Sequence, residues 1–226
     1  MVLRTCKRAV SLARDFPRQQ EIQARRSMRI EFLTPTSPGR EAAEAHIRDV
    51  YDTTYAAQVK GFAPVLAAAS NAEGKILCAA GIRTAQDGFF SDCYLNGDFC
   101  EVLKERTGRD IHASQIMEVT SLASVSPFPV LPLLDRMIDW GRQQGVVCGV
   151  FTATLPLRRL LTRTGLGYIP LCAAAADRVA DPDSWGSYYD TDPWVCAFIE
   201  TETDLALLTP GTAAPASLPG LQGGAA

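Results

Sequence analysis

One carboxylate lies in the middle of a strongly apolar stretch of the chain. Glu118 belongs to the segment 115–124, in which apolar and β-branched residues dominate, as is typical of a buried strand. A carboxylate buried there loses hydration free energy unless other groups bind it. Burial raises the pKa of a carboxyl group, which suits it to accept a proton near neutral pH. Glu118 is therefore the first candidate for a catalytic base.

A cation ends another apolar run. Arg83 follows residues 75–82, which the turn signal at 71–74 joins to the apolar run 63–69 as a predicted hairpin. A guanidinium at this position either pairs with a carboxylate such as Glu118 or binds an anionic group of a ligand, and the two roles are compatible. Arg83 is a candidate for the catalytic set.

Four hydroxyl groups could line the same region. Tyr51 and Tyr55 are four residues apart on a helix predicted over 39–57, so they share one helix face, either as core aromatics or as pocket residues. Thr152 and Thr154 stand at the polar end of a continuous apolar strand, as in the covered centre of a sheet. Tyr55 or the two threonines could protonate a leaving thiolate or position an acceptor.

The order of predicted elements gives the fold class. It runs as a strand at 28–33, the helix at 39–57, the hairpin, a short strand at 89–95, a helix ended by Gly108, the strand of Glu118, and then helices alternating with strands. This predicts an α/β protein with a mixed, largely antiparallel central sheet and helices on both faces. The order matches that of the GNAT-type acyltransferase fold. In that fold the central strand carries the base, and the acyl donor lies in a V-shaped gap beside it.

Composition limits the remaining possibilities. The chain has 226 residues and a net charge of -3, which argues against a nucleic-acid binder. We expect a basic, flexible arm at 1–27, one domain at 28–205 and a disordered Ala/Gly/Pro tail at 206–226. No apolar run reaches the ~20 residues that a transmembrane helix needs. Two histidines and seven cysteines without a CxxC pair argue against a metal site, and we expect a reducing, cytoplasmic location.

Several short motifs, taken together, are those of a known family. They are Tyr51, Tyr55-Ala56, Phe62 with Pro64, residues 79–83, Tyr94-Leu95, Glu118-Val119 with Leu122-Ala123, residues 151–154 with Leu157-Arg158, Arg163 with Gly165-Leu166, Trp185-Gly186, residues 188–190 and Pro193. On these residues the sequence resembles the thermostable hemolysin family, whose members are similar to GNAT enzymes and acyl-homoserine-lactone synthases. The resemblance covers about residues 45–200.

Two departures from the family pattern add candidate substrate-binding residues. The Gly-Asn pair that follows Glu-Val in the family is here Thr120-Ser121. The family's Leu-Phe-Leu-Glu is here the segment 89–92, which ends in Asp92. Both changes lie near the expected pocket, so the resemblance implies an altered choice of donor or acceptor. The family name describes a haemolytic phenotype and carries no mechanism.

The function implied is GNAT-like transfer of an acyl group from a thioester to a small amine, in secondary metabolism or signalling. Coenzyme A is held in GNAT enzymes by backbone N–H groups of a Gly-rich loop after the central strand. Here that loop, residues 124–129, has two prolines and no glycine. This favours a phosphopantetheine donor presented by an acyl carrier protein, and no tightly bound cofactor. Arg158, with Arg159 and Arg163, forms either a basic patch for that carrier or a solvated helix face.

Two alternatives stay open. One is a synthase that uses S-adenosylmethionine or an aminoacyl donor, with the aromatic loop from Trp185 to Tyr189 stacking on an adenine or sorting an acyl chain. That loop is otherwise a packed lid over the sheet. The other alternative is a membrane-active protein without catalysis, although the chain shows no export signal and no strongly amphipathic exposed helix. The sequence leaves open whether the chain forms a homodimer.

Overall fold

The computed structural model describes residues 28–200, so the predicted arm at 1–27 and the tail at 206–226 lie outside the described residues. The strands are β1 (Arg29–Leu33), β2 (Val65–Ser70), β3 (Ile76–Thr84), β4 (Ile116–Ser124), β5 (Cys148–Ala153), β6 (Ile169–Ala173) and β7 (Trp194–Ile199). The α-helices are α1 (Arg40–Tyr55), α2 (Phe99–Thr107), α3 (Val130–Gln143) and α4 (Leu155–Arg163).

The strands form one sheet of seven in the order β1-β2-β3-β4-β5-β7-β6. Only β4 and β5 pair in parallel, and every other neighbouring pair is antiparallel. A parallel pair requires a crossover connection, which α3 provides between β4 and β5. The predicted mixed, largely antiparallel sheet is confirmed.

Helices cover both faces, as predicted. Helix α1 buries Ala43 and Ile47 against β2 and β3, and α2 packs on the same face beside β4 to β7. On the other face α3 buries Leu133 and Met137 against β2, β3 and β4, with part of α4 beside it. The central strand β4 is therefore covered on both sides, which explains its apolar sequence.

The strand predicted at 89–95 is wrong. A 3-10 helix, Phe90–Tyr94, occupies this segment. Strand β3 already has β2 and β4 on its two edges, so the sheet offers no free edge there. The backbone N–H groups of Phe90 and Ser91 bond to the Glu118 carboxylate instead. Further 3-10 helices are Ala113–Gln115, Ala176–Arg178, Pro182–Trp185 and Tyr188–Thr191.

A β-bulge bends the central strand. Gly81 pairs with Thr120 and Ala79 pairs with Ala123, so three steps along β4 oppose two steps along β3. The extra residue is accommodated at Ser121, whose φ of 49° lies in the left-handed region. A Cβ on Gly81 would lie 2.4 Å from Thr120 Oγ1, which explains the glycine opposite the bulge.

Next to the bulge the two parallel strands separate. The ladder between β4 and β5 starts at Ile116 with Cys148 and ends at Val119 with Phe151. Strand β4 then continues to Ser124 and β5 to Ala153 without pairing to each other. We call the space between these two ends the strand gap.

Candidate active site in the strand gap

A cavity of about 760 Å³ opens at the strand gap. Its wall is largely apolar, with a small number of polar groups around the gap, as in most small-molecule sites. Nine of the site residues predicted from the sequence line it: Tyr51, Tyr55, Arg83, Glu118, Thr120, Ser121, Thr152, Thr154 and Trp185. The fold thus brings together residues that are up to 134 positions apart in the chain, since 185 − 51 = 134.

Glu118 is fully buried and bound by three donors. Its exposed fraction is 0%. Oε2 accepts from Phe90 N at 2.6 Å, and Oε1 accepts from Ser91 N at 2.9 Å and from Ser91 Oγ at 2.6 Å. Burial raises the pKa of Glu118, and the hydrogen bonds from Ser91 and Phe90 and the charge of Arg83 oppose that rise. The carboxyl group of Glu118, although hydrogen-bonded by Phe90 and Ser91, therefore binds a proton more readily than an exposed glutamate does.

Arg83 lies directly opposite Glu118 in the ladder of β3 and β4. Its Nη1 donates to the carbonyl oxygens of Asp87 and Gly88, at 3.1 and 3.2 Å. Among the described residues, Arg83 and Glu118 form no ion pair. Of the two roles predicted for Arg83, the structure therefore does not show the pairing, and its side chain is half-buried beside the cavity.

A serine that sequence reasoning missed connects the two sides of the gap. Ser91 donates its hydroxyl to Glu118 on β4, and its Oγ lies 2.8 Å from Thr152 Oγ1 on β5. Ser91 is 1% exposed and also lines the cavity. The one signal in the sequence was its place in segment 89–92, which departs from the family pattern.

Aromatic side chains form the wall beside α1. Tyr51 and Tyr55 pack with ring centroids 5.6 Å apart, and Tyr188 lies 5.3 Å from Tyr55 and 5.4 Å from Trp185. Tyr51 is both a buried core residue and a cavity residue, so its two predicted roles coexist. Burial raises the pKa of Tyr55 despite a hydrogen bond with Thr154. Its phenol is therefore a proton donor rather than an anion at neutral pH.

The loop of Trp185 is held against the end of α1. Gly186 has a φ of 50°, and a Cβ there would lie 2.0 Å from Tyr55 O. Ser187 N donates to the same oxygen at 2.8 Å. At the cavity rim Lys60 and Asp181 form an ion pair of 2.5 Å. These contacts place the predicted aromatic loop as one wall of the cavity.

Three predicted site residues lie outside the cavity lining. Asp92 is half-buried in the 3-10 helix, and burial raises its pKa. Arg158 donates to Asp192 at 2.5 Å. Tyr189 is hydrogen-bonded through its hydroxyl to Tyr94 at 2.7 Å. Their predicted contact with substrate stays a prediction.

The family is decided by comparison with known proteins. The family model for thermostable hemolysin matches residues 33–203. This chain belongs to the thermostable hemolysin family. The match includes every strand from β2 to β7 and all four α-helices, so the residues of the strand gap belong to the family's own domain. A search of curated proteins gives no match.

Solved structures show the same fold in other proteins. The AHL synthase LasI matches this thermostable hemolysin family member with a TM-score of 0.55 and 11% identity, over 80% of this chain and 94% of LasI. TofI in an apo form matches with a TM-score of 0.53 and 13% identity, over 79% of this chain and 94% of TofI. TofI in a ternary complex with an inhibitor and MTA matches with a TM-score of 0.54 and 13% identity, over 79% of this chain and 95% of TofI. At such identities the likeness is one of fold, and the fold is GNAT-like.

Two kinds of feature are absent from residues 28–200 of this thermostable hemolysin family member. No helix in that range is both long and apolar enough to span a bilayer. No cluster of three or more His, Cys, Asp or Glu side chains in that range could hold a metal ion. Six cysteines in the same range are free thiols.

Proposed function

We propose that this protein is an acyltransferase that moves an acyl group from a thioester to a small amine. The observation that carries the proposal is the position of Glu118, a buried carboxylate beside the strand gap on the wall of the cavity. Thioester aminolysis requires a base for the amine, a donor for the carbonyl oxygen and a proton for the thiolate.

Glu118 supplies the base. Its pKa is raised by burial, so it has greater affinity for the amine's proton than an exposed carboxylate. Its oxygens are fixed by the N–H groups of Phe90 and Ser91, so no reorganisation of the base is needed. Tyr55 and Thr154, which line the same cavity, supply the hydroxyls that position the acceptor.

The edge of β4 supplies donors for the thioester carbonyl. Beyond Val119 this edge has no ladder partner on β5. The bulge at Ser121 changes the backbone direction there. Backbone N–H groups from Thr120 to Ala123 that face the strand gap therefore stabilise the developing oxyanion, with the carbonyl oxygen in the gap.

The donor carries an acyl chain of several carbons. Towards α3 and α4, the cavity is lined by Met117, Val130, Leu134, Met137, Ile138, Leu157 and Leu160. Each methylene buried there contributes about 0.8 kcal/mol to binding. This apolar part of the cavity lies across the strand gap from Glu118, whose side chain is on the sheet face that α1 covers. Acyl chain and amine thus approach the gap from opposite faces of the sheet.

A carrier protein presents this donor in preference to coenzyme A. In the loop after β4, Pro127 and Pro129 have no N–H, and the N–H groups of Val125 and Val130 donate to Leu77 O and Pro127 O. Three backbone positions of this loop and the first residue of α3 are therefore closed to a pyrophosphate. Arg158 is engaged by Asp192, which leaves the exposed Arg159 and Arg163 to meet an acidic carrier.

One observation favours the alternative of a synthase that uses S-adenosylmethionine. The aromatic wall of Tyr51, Tyr55, Trp185 and Tyr188 offers ring faces to an adenine. The matched TofI complex contains MTA. S-adenosylmethionine is itself an amine, so it belongs in the acceptor panel.

The test compares matched donors. The protein is incubated with acyl-loaded carrier protein or with the same acyl group on coenzyme A, each with a panel of small amines, and intact mass is recorded. The proposal predicts that amine-dependent deacylation is at least about ten-fold faster with the carrier, a difference of about 1.4 kcal/mol. Faster use of acyl-CoA contradicts the carrier assignment. If neither donor loses its acyl group across a broad panel, the protein is not an acyltransferase.

A further inference from the structure

The burial of Glu118 raises a question of proton access. Its exposed fraction is 0%, and each of its oxygens already accepts at least one hydrogen bond. An amine in the cavity must nevertheless pass a proton to it. The side chains between Glu118 and the β5 side of the cavity are those of Ser91 and Thr152.

The hydrogen-bond chemistry fixes a direction along these side chains. An ionised carboxylate only accepts, and a serine hydroxyl has a single proton to donate. Ser91 gives that proton to Glu118 Oε1 at 2.6 Å. In the 2.8 Å contact between Ser91 Oγ and Thr152 Oγ1, Thr152 is therefore the donor. The lone pairs of the Thr152 hydroxyl are left for a third partner, and its side chain lines the cavity.

We propose that Thr152 and Ser91 form a proton relay from the cavity to Glu118. This inference rests on the acyltransferase function proposed above. The relay spans the strand gap, since Thr152 is on β5 and Glu118 is on β4. Its inner members are shielded from solvent, because Ser91 is 1% exposed.

One proton moves through the relay in each direction. As the amine nitrogen bonds to the thioester carbon, its proton passes to Thr152 Oγ1. Thr152 passes its own proton to Ser91 Oγ, and Ser91 passes its proton to Glu118 Oε1. When the carbon–sulfur bond breaks, the reverse sequence returns one proton to the thiolate. The products are an amide and a thiol, and Glu118 is again ionised.

A purely structural role for the two hydroxyls makes a different prediction. In that case Ser91 only holds the 3-10 helix to Glu118, and Thr152 only packs beside it. Any side chain of similar shape at position 152 would then serve equally. Thr152→Val keeps the shape and strand preference but has no hydroxyl, whereas Thr152→Ser keeps the hydroxyl.

The experiment measures steady-state acyl transfer and its proton inventory in mixtures of H₂O and D₂O for these variants. We expect Thr152→Val to lower kcat by about 10- to 100-fold with little change in KM, within the range of a general acid–base contribution. Thr152→Ser should stay within about three-fold of the original chain. The inventory should be curved in the original chain and in Thr152→Ser, because several protons move together, and should lose that curvature in Thr152→Val.

Ser91→Ala provides a second test that leaves β5 untouched. We expect it to lower kcat by a similar factor. It should also raise the pKa of Glu118, because one hydrogen bond to the ionised form is lost. That pKa is measured by ¹³C NMR of the labelled carboxyl group. If Thr152→Val and Ser91→Ala keep full activity while Glu118→Gln loses it, the proposed relay is wrong and Glu118 is still the base. If Thr152→Ser is as slow as Thr152→Val, the role is structural. If the unaltered chain acylates no amine, the proposed function fails and the relay with it.

Discussion

Arg83 and Glu118 face each other across β3 and β4, yet each binds backbone of the same loop rather than the other's charge. The guanidinium donates to the carbonyl oxygens of Asp87 and Gly88, and the carboxylate accepts from the N–H groups of Phe90 and Ser91. The backbone carbonyl oxygens thus bind the cation, and the backbone N–H groups bind the anion. The pair fixes loop 87–91 over the strand gap, which positions Ser91.

Replacing the carboxylate separates charge from shape. In Glu118→Gln the side-chain NH₂ must face the N–H donors of Phe90 or Ser91, so we expect a loss of about 1–3 kcal/mol in the free energy of unfolding. We also expect turnover to fall by about two orders of magnitude, because an amide is no base. Urea denaturation and kcat, both measured well below the midpoint of thermal unfolding, check the two effects. Full activity in a folded variant would remove Glu118 from its role.

Removing the Arg83 charge should move the pH profile. Its charge lowers the pKa of Glu118, so Arg83→Met should raise that pKa further and shift the acid limb of kcat to higher pH. Arg83→Lys keeps the charge and serves as the matched control. The measurement is kcat against pH for the three proteins. An equal shift in both variants would show that the effect comes from loss of the loop contacts.

His46 should make stability depend on pH. Burial lowers the pKa of His46 from its ordinary value of 6.5, despite opposing effects of a hydrogen bond to Ala123 and of Asp49. A histidine with a lowered folded pKa contributes stability that is present above 6.5 and is lost as pH falls through that value towards the folded pKa.

The corresponding measurement is the urea midpoint at about pH 7.5 and about pH 5.5, on either side of the histidine range. We expect the decrease on acidification to be smaller in His46→Gln than in the original chain. His112→Gln, at the exposed second histidine, is the control and should keep the full decrease. An undiminished decrease in His46→Gln contradicts the assignment.

The bulge beside the strand gap should tolerate no side chain on β3. An alanine Cβ at Gly81 would lie 2.4 Å from Thr120 Oγ1 and 2.8 Å from Ala63 Cβ, so we expect Gly81→Ala to cost about 1–3 kcal/mol. At Gly149 on β5 a Cβ meets nothing within 4 Å, so Gly149→Ala should stay within about 0.5 kcal/mol. Denaturant unfolding of both variants tests the difference. Equal stabilities would show that Thr120 moves aside freely.

The sequence predicted the parts of the fold that periodicity and local stop signals determine. Gly108 ends α2 with a left-handed φ of 72°, as a C-terminal glycine should. The apolar strand of Glu118 is central and paired on both sides, which placed the carboxylate in the interior. Tyr51 and Tyr55 lie together on one face of α1 because helical spacing requires it.

The rest depends on contacts that no local pattern encodes. Segment 89–95 has strand-like composition, but the carboxylate of Glu118, 28 positions from Phe90, draws its N–H groups into a 3-10 helix. The Ser91 to Thr152 contact joins residues 61 positions apart. The bulge at Ser121 follows from pairing with β3 rather than from its own propensity. Long-range hydrogen bonds therefore determine the details of the candidate site.

Single-turnover formation of an N-acyl product is the most direct test of acyl transfer with Glu118 as the base. A carrier protein loaded with a ¹³C-labelled acyl group is mixed with excess enzyme and the best amine of the panel, and the labelled amide is quantified over time for the original chain and for Glu118→Gln. We expect an amide with the original chain and a rate of amide formation about 100-fold lower with Glu118→Gln. Equal rates in the two proteins, or no amide with the original chain, would contradict it.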